Sequence, residues 1–152
     1  MPNSPSQSGS FRQTWWTSGG QLLVTPTSSR SHQRALGELC MRLVPACPEH
    51  LEVFLGPIEF RPTSRRAVLP DLLVVRCDDA GPRWIEEPLL LAVEVVAAET
   101  RMVDELLKRR VYEQAGVASY WMVDPENASL TVLELEGGRY VERAVVGGDE
   151  VF

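Results

Sequence analysis

The stretch "LLLAVEVVAAETRMVDELLKRR", Leu89–Arg110, decides how the chain is read. Its first half is an almost unbroken apolar run with one carboxylate, Glu94, in the middle. Runs this apolar usually form strands covered on both faces. A carboxylate buried there is costly unless it is paired, protonated or bound to a metal ion. The second half reads as a helix from Thr100 to Ala115 that Gly116 ends, with Met102, Leu106 and Leu107 as its core side. Asp104, Lys108 and Tyr112 follow at i, i+4 and i+8, so on an α-helix they form one stripe. Taken alone, that stripe is an ordinary solvated face, and Lys108 suits an exposed charge beside Arg109 and Arg110.

Working outward, "ASYWMVDP" is a further strand, closed by Asp124-Pro125. A helix between two strands permits a parallel crossover. "SLTVLELEGGRYVERAVV" is a hairpin turning at Gly137-Gly138. Upstream, "LEVFLGPIEFRP" (Leu51–Pro62) is a strand pattern interrupted at Gly56-Pro57, and a second strand runs from about Ala67 to Arg76. Before these, a helix spans Ser31 to Val44, with Ser31 as its cap, Leu36, Leu39, Cys40 and Leu43 at helical spacing, and Pro45 as its stop. "GGQLLVTPT" (Gly19–Thr27) is a turn and a short strand. The order helix, three strands, helix, strand, hairpin predicts a mixed sheet with helices packed on it, in the α/β or α+β class.

The 152 residues suit one domain. We expect a flexible Ser/Pro/Gly arm over residues 1–18, gaining order from the tryptophans on, and a single domain over 19–152. No apolar run is long enough to span a membrane, and the N-terminus lacks the pattern of a secretory signal. Cys40, Cys47 and Cys77 fit neither a disulfide framework nor a zinc site, which points to a reducing, cytoplasmic setting. A net charge of −6 argues against coating nucleic acid by bulk electrostatics, though it leaves room for a local basic groove.

Asp71 sharpens the question raised by Glu94. It follows Pro70 in "LPDLLVV", near the start of the preceding strand. Alone it would be a strand-entry residue. Two carboxylates on adjacent strands can also converge on one hard cation such as magnesium, with the main-chain carbonyl of Val95 adding a ligand. A lysine near such a site can orient water or stabilise charge developing on a phosphate.

Pro70-Asp71, then Glu94 in an apolar strand, within this order of elements, resembles the PD-(D/E)xK nuclease superfamily. Within it the chain is most similar to the restriction-endonuclease-like group called the Uma family. The resemblance runs from "GGQLLVTPTSSRSHQRALGEL" through "LPDLLVV" and "VEVVAAETRMVDELLKRRVYEQAG" to "GVASYWMVDP" and the terminal hairpin. Its most specific parts are "YWMVDP" and the Glu94–Asp104–Lys108–Tyr112 spacing. It implies a restriction-endonuclease-like fold, Asp71 and Glu94 as metal ligands, and Mg²⁺ as cofactor with Mn²⁺ as a substitute. The superfamily's lysine lies two residues after the glutamate, where this chain has Val96. In this group it looks displaced onto the following helix, a position Lys108 matches. His32 also matches a recurring position. The family commonly has Ser-Pro where this chain has Ala97-Ala98.

Two functions follow as expectations. The first is a Mg²⁺-dependent endonuclease acting on DNA, with Asp71, Glu94 and Lys108 catalytic. Arg30, Arg34, Arg61, Arg65 and Arg66 read equally well as phosphate contacts or as solvated loop charge. The second is a non-catalytic interaction domain on the same scaffold. In either case the terminal hairpin and Trp15-Trp16 offer apolar surface suited to a homodimer.

Overall fold

The computed structural model describes residues 13–16, 22–25, 29–64, 66–97 and 101–147; for 13–16, 22–25 and 103–105 only the backbone is described. The elements run in the order β1 (Gln13–Trp16), β2 (Leu22–Thr25), α1 (Arg30–Ala46), β3 (Leu51–Leu55), β4 (Glu59–Thr63), β5 (Arg66–Val68), β6 (Leu72–Arg76), β7 (Trp84–Ile85) and β8 (Leu91–Val95). A helical crossover follows, first a π-helical segment (Val103–Lys108) and then α2 (Arg109–Gln114). The chain continues through β9 (Ser119–Asp124), β10 (Ser129–Glu136) and β11 (Arg139–Gly147).

Among the described residues the main sheet has the order β11-β10-β9-β8-β6-β3. β8 and β9 are parallel, joined by the helical crossover, and the other neighbours are antiparallel. This is the mixed sheet expected from the order of elements. The hairpin turns at Gly137 and Gly138, whose φ values of 56° and 81° lie where a side chain would be strained.

β8 is buried along its whole length. Its alternate residues serve two cores. Leu91, Val93 and Val95 join Leu72, Val74 and Val123 under Ala35 and Leu36 of α1. Ala92 joins Leu73, Val75, Tyr112 and Tyr120 on the opposite face. Period-two alternation therefore places Glu94 on the face that α2 covers. Tyr112 forms part of an aromatic column there, between Phe60 and Tyr120, with Tyr140 beyond.

Several local expectations are corrected. The cap of α1 is Ser29, whose hydroxyl accepts the His32 N–H at 3.1 Å, while Ser31 bonds only to that hydroxyl. Pro45 does not stop α1. It sits in the last turn, where its missing N–H costs a single ladder bond. The strand expected over Ala67–Arg76 is two strands in different sheets, β5 and β6, parted at Leu69–Asp71 where Pro70 cannot donate to a ladder. β5 pairs with β4, and β4 with the two-residue β7, in a small separate sheet. Within the N-terminal stretch, β1, which holds the two tryptophans, pairs with β2. The remainder of residues 1–18 lies outside the described residues, as do the side chains of Trp15 and Trp16.

The largest correction concerns the crossover helix. Met102, Leu106 and Leu107 were expected in the core, yet they are 73%, 63% and 51% exposed. The π turn has more residues per turn than an α-helix, so the face read at α spacing no longer points inward. The inward side instead faces Glu94 and carries Lys108 and Tyr112.

Candidate active site

Glu94 is 1% exposed, and both its oxygens are held by the crossover helix. Lys108 Nζ donates to Oε2 at 2.6 Å, and the Tyr112 hydroxyl donates to Oε1 at 2.6 Å. Lys108 is itself buried, at 8% exposure. Lys108 is therefore not the water-facing charge that its stripe taken alone suggested: a carboxylate inside a covered sheet draws the ammonium in with it. Tyr112 is fully buried, and its phenol is raised well above the ordinary value of 10.0. Burial is the largest cause, followed by the negative charge of Glu94, with a smaller push from Asp71. Tyr112 thus stays a neutral donor throughout the physiological range.

Asp71 sits at the entry of β6, opposite the end of β8. Its backbone is fixed twice: its N–H donates to Val93 O at 3.0 Å, and its carbonyl accepts the Gly56 N–H at 2.8 Å. Gly56 is required at that approach, because a Cβ there would lie 2.7 Å from Pro70 O. Asp71 Oδ2 accepts the Val95 N–H at 2.8 Å and meets His32 Nε2 at 3.2 Å. Oδ1 has no hydrogen-bond partner among the described residues. Val95, singled out for its carbonyl, here contributes its N–H.

The structure thus joins Glu94 to Lys108 and Tyr112, and Asp71 to Val95 and His32. The sequence reading placed Tyr112 on the stripe without a role; its spacing of four from Lys108 was the available signal. It gave no partner for His32. The Asp104 side chain lies outside the described residues, as does Arg65. Arg61 is engaged by Glu59 at 2.6 Å and lies 4.2 Å over the Trp84 ring, and Arg66 bonds Gln114. Arg30 and Arg34 are exposed on the helix that carries His32. Among the described residues no group of three or more His, Cys, Asp or Glu side chains is placed to hold a metal ion. A cation here would rest on fewer side chains.

At the far end of β9 a second buried acid, Asp124, is 3% exposed. It accepts from the Arg101 guanidinium, from Asn127 Nδ2 at 2.7 Å and from the N–H groups of Glu126 and Asn127 at 3.0 Å. Burial pushes its pKa up, but these hydrogen bonds and the charge of Arg101 outweigh it and hold Asp124 at about 2. It closes the turn of the "YWMVDP" stretch and anchors the start of the crossover.

Residues 12–152 match the model of a family described as "Putative restriction endonuclease", Uma2. The chain belongs to the Uma2 family. Among solved structures, a crystal structure of a "putative nuclease belonging to DUF820" from Anabaena variabilis aligns with a TM-score of 0.63 at 14% identity, covering 87% of this chain and 74% of that one. At that identity the likeness concerns the fold, which is nuclease-like. No curated protein matches the chain. For an Uma2 chain, a nuclease-like function follows from the family and the fold together. No helix among the described residues is long and apolar enough to cross a membrane.

Proposed function

We propose that this Uma2 chain is a Mg²⁺-dependent endonuclease that hydrolyses phosphodiester bonds in DNA, with Asp71, Glu94 and Lys108 at its centre. The observation that carries the reading is the buried ion pair, 2.6 Å long, between Glu94 of the apolar strand β8 and Lys108 of the helix that crosses over it, with Asp71 at the entry of the neighbouring strand β6. Burying such a pair is seldom favoured over apolar side chains of the same volume, so its presence asks for a function.

The donor set suits a hard, sparsely coordinated cation. Magnesium binds through one or two carboxylates and keeps several waters, so it does not need an all-protein cage. Asp71 Oδ1, with no protein donor among the described residues, and Glu94 would hold it, with the Val95 carbonyl as a further oxygen. Bound there, the ion would supply Lewis acidity, lowering the pKa of water and withdrawing charge from a phosphate.

The chain's own residues do the rest. Tyr112 fixes the orientation of Glu94 through Oε1. Lys108 holds a positive charge at Oε2, where it can balance negative charge gathering on a phosphate. Arg30 and Arg34, exposed on the helix that carries His32, would meet the phosphate backbone and set register without reading bases. The test is cleavage of linear, single-stranded and branched DNA with Mg²⁺ or Mn²⁺, beside an Asp71→Ala control. Metal-dependent cleavage lost in the control supports the reading; equal cleavage by both proteins removes it.

A non-catalytic, dimeric interaction domain is the second reading. It is favoured by the exposure of Met102, Leu106 and Leu107 together, with Val145 of β11 60% exposed. A dimeric mass in light scattering together with no cleavage of any DNA form would establish it over the first.

A further inference from the structure

We propose that His32 is a positioning residue for Asp71, locking its carboxylate so that Oδ1 alone is presented to a divalent cation. The inference rests on the metal-site reading above and specifies which oxygen binds and what holds it there.

Every polar group of Asp71 except Oδ1 is already committed. The N–H and carbonyl are tied to Val93 and Gly56. Oδ2 is approached from two sides, by the Val95 N–H of the sheet at 2.8 Å and by His32 Nε2 of α1 at 3.2 Å. A carboxylate with a single donor can still rotate about its Cβ–Cγ bond and exchange its oxygens. Two donors on one oxygen, delivered by separate elements, remove that freedom and leave Oδ1 aimed in one direction. Preorganisation of this kind by outer partners is how metal sites gain affinity.

The imidazole is suited to the task. Its side chain is 14% exposed, and Nδ1 is buried with no hydrogen-bond partner among the described residues. A proton on Nε2 makes that nitrogen the donor to Asp71 and leaves Nδ1 as a bare acceptor. The other neutral tautomer would set a lone pair against the carboxylate and strand an N–H in the interior, the costlier orphan. His32 is carried in the first turn of α1, and its own N–H is bound to the Ser29 cap, so the ring is delivered from a fixed backbone.

The test compares two replacements of similar volume, His32→Gln and His32→Met, both compatible with a helix; only Gln retains a donor near the Nε2 position. Mn²⁺ binding is measured by titration calorimetry without DNA, beside wild type and Asp71→Ala, with thermal unfolding to confirm folding. We expect His32→Gln to bind within about threefold of wild type and His32→Met to bind about 10- to 100-fold more weakly, the usual cost of losing an outer partner. Equal Mn²⁺ affinity in His32→Gln and His32→Met, with binding lost in Asp71→Ala, overturns the role of His32 and leaves the metal site standing. Undiminished Mn²⁺ binding by Asp71→Ala overturns the metal site, and this inference with it. Saturating Mn²⁺ should restore cleavage by His32→Met to within about threefold of wild type, because a positioning residue acts on affinity. A loss that Mn²⁺ cannot restore would overturn the assignment.

Discussion

Lys108 Nζ and Glu94 Oε2 stand 2.6 Å apart, and neither residue is more than 8% exposed. The pair joins the middle of the sheet to the helix that crosses over it. Removing either residue takes a close counter-charge away from a buried ionic group.

Lys108→Ala should therefore destabilise the fold by about 3–5 kcal/mol, far beyond a surface substitution. Replacing both residues by apolar ones, Glu94→Leu with Lys108→Met, should recover most of that loss while abolishing any cleavage. Urea unfolding of Glu94→Leu, Lys108→Met and the double variant measures the cycle. Additive losses in the double variant would contradict a coupled pair.

Tyr112→Phe removes one donor from the same acid and leaves the ring in its column. The expected cost is about 1.5–3 kcal/mol, the range for a hydrogen bond to a charged group. Alkaline pH tests the parent residue. Tyr112 and Tyr140 both have folded-state pKa values raised above the ordinary 10.0, chiefly by burial. The unfolded chain then releases their protons first. Their contribution is fully present below about pH 10 and is lost as pH rises above it. Absorbance titration should show these two phenols silent until the chain unfolds.

Asp124 gives the opposite slope at the acid end. Its folded pKa of about 2 lies below the ordinary 3.8, so the folded state holds the ionised form. That contribution is present above about pH 4 and lost as pH falls through 2. Asp124→Asn should flatten stability between those limits and lower it at neutral pH, as measured by urea midpoints across pH.

Gly56→Ala should act on Asp71 without touching it chemically. The added Cβ would meet Pro70 O at 2.7 Å and Asp71 O at 3.3 Å, so the backbone carrying the acid must move. We expect a loss of about 1–3 kcal/mol, the scale of overpacking. Mn²⁺ affinity in calorimetry should fall as well, and an unchanged affinity would show that the Asp71 backbone has room to spare.

Much of this architecture was legible in the residues. Glu94 in an apolar strand announced a buried charge that needed a partner, and the nearest cation on the next helix supplied it. The meander and crossover followed from the order of strands and helix, because each main strand is long enough to show its pattern. What was hidden depended on contacts far apart in sequence or on helix phase. His32 and Asp71 are 39 positions apart, and nothing in either neighbourhood names the other. β7 has two residues and no periodicity to read. Leu106 and Leu107 looked like core because α spacing was assumed through a segment that winds as a π-helix.

The wide turn also acts as a length adjustment between two fixed points. Arg101 is tied to Asp124 at one end of the crossover, and Lys108 is tied to Glu94 at the other. An α-helix turns about 100° per residue, so losing a single codon between these anchors would swing one end by roughly that angle relative to the other. The shortened helix could keep its ladder of backbone bonds and still be unable to satisfy both ion pairs. The surplus residue is therefore a shim: it lets one short helix meet two acids on neighbouring strands. Insertions and deletions here should be tolerated far less well than the exposed leucines on its outer side would suggest.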